Sequence, residues 1–76
     1  MSANVLATSV LSEEERLESL LVRRLGNRVR DLRVLLLPDG LILQGRTATY
    51  HAKQLAQHAA MELATLPILA NEIQVL

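Results

Sequence analysis

The side chains that could do chemistry in this chain are few: Ser12, His51, His58, Glu62 and the arginines between Arg16 and Arg33. Ser12 is followed by Glu13, Glu14 and Glu15, a pattern that caps a helix rather than arming a nucleophile. No Ser-His-acid or paired-carboxylate set can be assembled around it, so no catalytic residue is expected and the chain reads as a non-enzyme. His51, His58 and Glu62 share one side of a helical segment. Seven residues separate the histidines by ~10.5 Å along a helix axis, too far for one metal ion. His58 and Glu62 alone offer two ligands where a zinc site needs three or four, so no metal is expected. Gly26, Gly40 and Gly45 are spaced wrongly for a P-loop or dinucleotide fingerprint, and the Gly-x-x-Gly loop of KH RNA-binding domains is missing. No cofactor is expected.

The arginines are the stronger signal. The chain is neutral overall, with eight basic and eight acidic residues, yet six arginines stand against only Glu18 and Asp31 between Arg16 and Arg33. Arg23, Arg24, Arg28, Arg30 and Arg33 could meet anionic lipid head groups, where each near-surface basic residue contributes ~1 kcal/mol. The same charges could equally complement a helix C-terminus and solvate an edge strand. Arg24 falls within the buried arc of its helix, between Leu17 and Leu20, and is expected to snorkel outward. A nucleic-acid-binding module built on the Arg23–Arg33 cluster is the alternative. The neutral total and the single aromatic, Tyr50, argue against it, because single strands usually stack on aromatic platforms.

These residues must be positioned by one folding unit, since 76 residues leave no room for a second core. A chain this short buries only about 60% of its unfolded surface, so stability is marginal without a staple or a partner. Cysteine is absent, which removes disulfides and thiolate metal sites. Met1–Leu11 mixes small polar and apolar residues without a period and is expected to be a flexible leader, with a single domain over 12–76. The leader carries no basic residue and does not read as a signal peptide. The aliphatic run Val34–Leu37 is far short of the ~20 residues that span a bilayer. A cytoplasmic location is therefore expected.

The spacing of Leu17, Leu20, Leu21 and Leu25 predicts a helix over Glu13–Leu25, stopped by Gly26. Leu32, Val34 and Leu36 alternate with Arg33, Leu35 and Leu37, which predicts a strand over Arg28–Leu37 ending at a Pro38-Asp39-Gly40 turn. A second strand over Leu41–Arg46 makes the pair a hairpin. Gly45 within it marks a bulge or the close approach of a packed helix. Thr47 or Thr49 caps a second helix with an alanine-rich stripe, Ala52, Leu55, Ala56, Ala59 and Leu63, that stops before Leu66-Pro67. In the last strand Leu69, Asn71, Ile73 and Val75 alternate with Ala70, Glu72, Gln74 and Leu76.

The order αββαβ predicts an α+β fold of two layers: a three-stranded mixed sheet with both helices on one face. Val34, Leu36, Leu41 and Leu43 then point toward the helices, and Leu35, Leu37 and Ile42 lie on the uncovered face. Large aliphatics there invite a second copy or another protein, unless Val5, Leu6, Val10 and Leu11 of the leader fold over them or the register differs by one residue.

Several segments in this order resemble the BON domain, a small bacterial module of osmotic-stress and cell-envelope proteins. They are the turn Asp39-Gly40, the strand Leu41-Ile42-Leu43-Gln44-Gly45, the helix segment Lys53-Gln54-Leu55-Ala56-Gln57-His58-Ala59 and the closing Leu69-Ala70-Asn71-Glu72-Ile73-Gln74-Val75. The resemblance covers roughly Arg16–Leu76, and Gly45 corresponds to the glycine that recurs in that family. It implies an αββαβ fold, no chemistry, and attachment to phospholipid or to other proteins. The sequence thus points to a non-catalytic binding domain that forms homo-oligomers or docks a protein partner, with an anionic membrane surface as a further partner.

Overall fold

The computed structural model describes residues 12–76, and the leader expected over residues 1–11 lies outside them. Helix α1 is Glu13–Leu25. Ser12 Oγ accepts from the Glu15 N–H at 3.0 Å, and Glu15 Oε1 accepts from the Ser12 N–H at 3.2 Å, the reciprocal cap that the Ser-Glu-Glu-Glu run predicts. Leu17, Leu21 and Leu25 form its buried stripe, while Leu20, one position off that stripe, is only half-buried. The helix ends at Gly26, whose φ of 62° suits a residue without a β-carbon.

A 3-10 turn, Gly26–Arg28, delays the first strand, so β1 is Val29–Leu37 and does not include Arg28. Strand β2 is Gly40–Thr47, helix α2 is Tyr50–Leu63 and strand β3 is Ile68–Val75. The sheet order is β1-β2-β3, antiparallel between β1 and β2 and parallel between β2 and β3. This is the expected α+β arrangement, with α1 packed on β1, α2 on β3, and the helices against each other. The core is aliphatic: Leu17, Leu21 and Leu25 meet Val29, Leu32, Val34, Leu41, Leu43 and Ile73. Helix α2 contributes buried Ala52, Ala56, Ala59 and Ala60, and Leu55 and Leu63 are partly buried beside them. Small side chains let that helix lie close to the sheet. No helix among the described residues is long and apolar enough to cross a membrane.

Three local features differ from a plain reading of the pattern. Gly40 already pairs with Leu37, so the turn is Pro38-Asp39 alone. A β-carbon on Gly40 would meet the Pro67 carbonyl oxygen and, at 2.9 Å, the Leu69 side chain. Between Arg30 and Arg33 the register shifts, leaving Asp31 at φ 53° as an extra residue opposite Gly45. The bulge that Gly45 signals therefore lies in β1. A β-carbon at Gly45 would stand 3.0 Å from the Arg30 carbonyl oxygen, so the close approach is by β1 and not by a helix. A second shift, between the pairs Leu41/Ile68 and Ile42/Ala70, makes Leu69 an extra residue. That breaks the expected series Leu69, Asn71, Ile73, Val75: Ile68 packs on the core and Leu69 remains 47% exposed. Of the two candidate caps, Thr49 accepts from the Ala52 N–H at 3.1 Å, and Thr47 instead donates to the Arg28 carbonyl at 2.6 Å.

Side chains take up outward N–H groups on both outer edges of the sheet, two on β1 and one on β3. In an antiparallel ladder alternate residues turn their N–H groups away from the partner strand. On β1 the outward N–H groups of Val34 and Leu36 donate to Glu18 Oε2 at 2.9 Å and Glu14 Oε2 at 2.8 Å. These glutamates are one turn apart on α1, so the helix that covers β1 also closes its edge. On β3 the Ile73 N–H donates to Asn71 Oδ1 at 3.2 Å, and the Asn71 amide donates to the Lys53 carbonyl at 3.0 Å. Carboxylates and an amide stand where another strand would otherwise add. Replacing Glu18 with Ala is expected to lower stability by about 1 kcal/mol, because a part-buried N–H loses a charged acceptor. Glu18→Gln keeps an acceptor and is expected to lose less. Urea unfolding of the two variants measures the difference.

Candidate functional site

The register fixes what the uncovered face presents. Reading from the hairpin end, Leu37 pairs with Gly40, whose neighbour is the Leu69 side chain. The next row is Leu35, Ile42 and Ala70, then Arg33, Gln44 and Glu72, then Arg30, Arg46 and Gln74. Leu35 and Leu37 are 39% and 43% exposed, and Ile42 between the edges is half-buried. By contrast Val34, Leu41 and Leu43, one residue away on the same strands, are no more than 1% exposed. Leu36 is partly buried against the core. The side of the sheet assigned to each residue by alternation is the side it occupies.

The face is oily at one end and charged at the other, and the charges are ordered. Arg33 is on the β1 edge and Glu72 on the β3 edge of a single row, with Gln44 between them donating to Glu72 Oε1 at 3.1 Å. Neither charge has an ion-pair partner among the described residues. In the next row Arg46 is held by Asp31 at 2.8 Å, a pairing that the β1 bulge makes possible. A shallow depression lined by Asp31, Arg33, Gln44, Gly45, Arg46, Glu72 and Gln74 occupies this polar half.

The five arginines singled out in the sequence do not form one patch. Arg33 lies on the sheet face. Arg24 reaches across to α2 and pairs with Glu62 at 2.6 Å with both side chains about half exposed or more, so it leaves the buried arc by snorkelling toward a specific partner. Arg23 is exposed in the last turn of α1. Arg28 donates to the Leu25 carbonyl at 3.3 Å and, with Arg30, lines an open recess of about 800 Å³. Arg46 and His51 line the same recess beside Thr47, Thr49 and the first turn of α2. The structure thus joins Arg28 and Arg30 to two basic groups from distant segments.

Glu62 is engaged by Arg24, so His58 has no second ligand at hand. No group of three or more His, Cys, Asp or Glu that could hold a metal occurs among the described residues. The buried side-chain polar atoms there all have hydrogen-bond partners. Sequence reasoning missed four contributors: Leu69 and Ala70 on the face, and Arg46 and His51 at the recess. Leu69 follows from a bulge in β3 that alternation cannot reveal, Ala70 from the alternation of β3 once its pairing with Ile42 is known, and the others from long-range packing. Glu14 and Glu18 were legible only as a helical pair on one side.

No family model, no curated protein and no solved structure matches this chain. The half-exposed Arg24–Glu62 pair is expected to contribute little to stability, so Glu62→Ala should shift the unfolding free energy by about 0.5 kcal/mol or less. The urea midpoint of that variant is the check.

Proposed function

We propose that this chain is a non-catalytic interaction domain that self-associates through its uncovered sheet face. The observation that carries this is the row of aliphatics Leu35, Leu37, Ile42 and Leu69 on a face that no described element covers. Contiguous exposed apolar side chains rimmed by polar ones mark an interaction surface. Two features favour a second copy of this chain as the occupant. Among the described residues the same face carries groups of both signs without an ion-pair partner, Arg30 and Arg33 against Glu72, and the Arg33–Glu72 row can match itself. Three outward N–H groups on the strand edges, those of Val34, Leu36 and Ile73, already have side-chain acceptors in Glu18, Glu14 and Asn71, which disfavours strand addition relative to contact through the face. A small domain of marginal stability gains from such mass-action coupling. The resemblance to BON domains supports a binding role without chemistry.

Ile42 is central in the apolar row, so Ile42→Glu places a charge where the partner would pack. Sedimentation equilibrium of the full chain is expected to give a concentration-dependent dimer, and Ile42→Glu a monomer with unchanged circular dichroism. A wild-type chain that stays monomeric into the millimolar range would overturn the proposal, in favour of an unlike partner or of residues 1–11 as the occupant.

A second reading is favoured by one observation, the convergence of Arg28, Arg30, Arg46 and His51 on one recess. Only Asp31 among its lining residues is acidic, which leaves a positive opening suited to the head groups of an anionic membrane. Vesicles of anionic lipid should then retain the protein, neutral vesicles should not, and Arg28→Glu with Arg30→Glu should abolish retention. Salt-sensitive binding to DNA or RNA without vesicle binding would assign the recess to nucleic acid instead.

A further inference from the structure

The charged row of the uncovered face determines how two copies fit, and we infer that they pack as a two-fold sandwich whose axis runs parallel to the strands. The inference rests on the self-association proposed above. Rotation about such an axis keeps strand direction and exchanges the edges, so β1 of one copy lies over β3 of the other. Every row then falls on the same row of the partner. Leu37 comes over Leu69, Leu35 over Ala70, and Ile42 meets Ile42 on the axis. Arg33 comes over Glu72, twice per dimer, once on each side.

The perpendicular choice, an axis across the strands, fits poorly. It lays β1 on β1 and, centred on the Ile42 row, sets Leu37 against Arg33. Moving the centre toward the charged rows brings the oily row against arginines instead. Only the axis along the strands joins apolar to apolar and plus to minus at once, because Arg33 and Glu72 are at opposite edges of one row. Arg46 also meets its own copy near the axis, but Asp31 neutralises it within each molecule at 2.8 Å.

Size sets the strength. Three strands spaced about 4.8 Å apart and running eight residues at about 3.3 Å each make a face on the order of 14 by 26 Å. That is below the about 800 Å² per partner of a standard interface, which places the dimer among weak, transient associations.

Within one molecule Arg33 and Glu72 are two strands apart, roughly 9.6 Å, with Gln44 between them. They form no ion pair with each other in the described structure, so charge reversal acts on the contact between molecules. Arg33→Glu alone and Glu72→Arg alone each set like charges face to face twice per dimer, and each should weaken the dimer roughly tenfold or more. Mixing the two variants should restore association to within about threefold of wild type, because both opposite-charge contacts re-form in the mixed dimer. Higher salt should weaken the wild type and strengthen each single variant. Sedimentation and fluorescence energy transfer between labelled variants read these outcomes, with circular dichroism verifying that each is folded. Single variants that dimerise like wild type, or a mixture no tighter than either alone, would overturn the arrangement. If Ile42→Glu still dissociated the dimer in that case, the face itself would stand as the interface. Absence of a wild-type dimer would instead remove the underlying proposal.

Discussion

The seating of α1 along β1 governs the rest of this small fold. Leu17, Leu21 and Leu25 bury one side of the helix against the sheet, and Glu14 and Glu18, on a flanking side, take the outward N–H groups of Leu36 and Val34. One helix therefore supplies apolar cover and hydrogen-bond acceptors to the same strand. Without those acceptors β1 would present unpaired donors to water and to other chains. With them, the helix has a fixed lateral position at the sheet edge, and the remaining width of that face is left to α2. Its alanines fit the space beside β3, and Asn71 ties strand to helix at Lys53 and Gln57.

An asymmetry of faces follows. Two helices suffice to shield one side of three strands, and both lie on the same side. The other side keeps its leucines exposed and its isoleucine half-exposed among the described residues, in a molecule whose outer strands already have part of their outward N–H groups taken up by side chains. Aggregation by strand addition and specific pairing by face contact are thus separated physically: the first meets carboxylates and an amide, the second meets an ordered surface. Order comes from register. The bulge in β1 gives Asp31 the backbone turn that lets it reach Arg46, which leaves Arg30, Arg33 and Glu72 as the charges of the face without an ion-pair partner among the described residues.

Much of this was legible in the residues. The Ser12–Glu15 cap, the leucine period of α1 and the strict alternation through Val34–Leu37 and Leu41–Leu43 gave element types, boundaries within a residue or two, and the face assignment of Leu35, Leu37 and Ile42. Alternation works there because one side is fully buried and a one-residue slip would invert every side chain. It fails at Leu69, where an extra residue resets the phase, and a bulge leaves no periodic trace. Gly45 carried a trace of its own bulge, although the extra residue is across the ladder in β1. The arginine cluster misled through proximity in sequence: Arg24, Arg28 and Arg33 are near neighbours along the chain, yet the helix end, the 3-10 turn and the strand send them to three different places. Arg46 and His51 join Arg28 and Arg30 only through folding.

In the proposed assembly, copies of this chain meet at the sheet face that no described element covers. Methyl spectra of the full chain, recorded through a dilution series, test this most directly. The predicted result is concentration-dependent shifts confined to Leu35, Leu37, Ile42, Leu69 and Ala70 on the sheet face, with the methyls of Val22 and Met61 on the outer helix surfaces unchanged. Shifts at the helix surfaces, or none across the whole series, would contradict it.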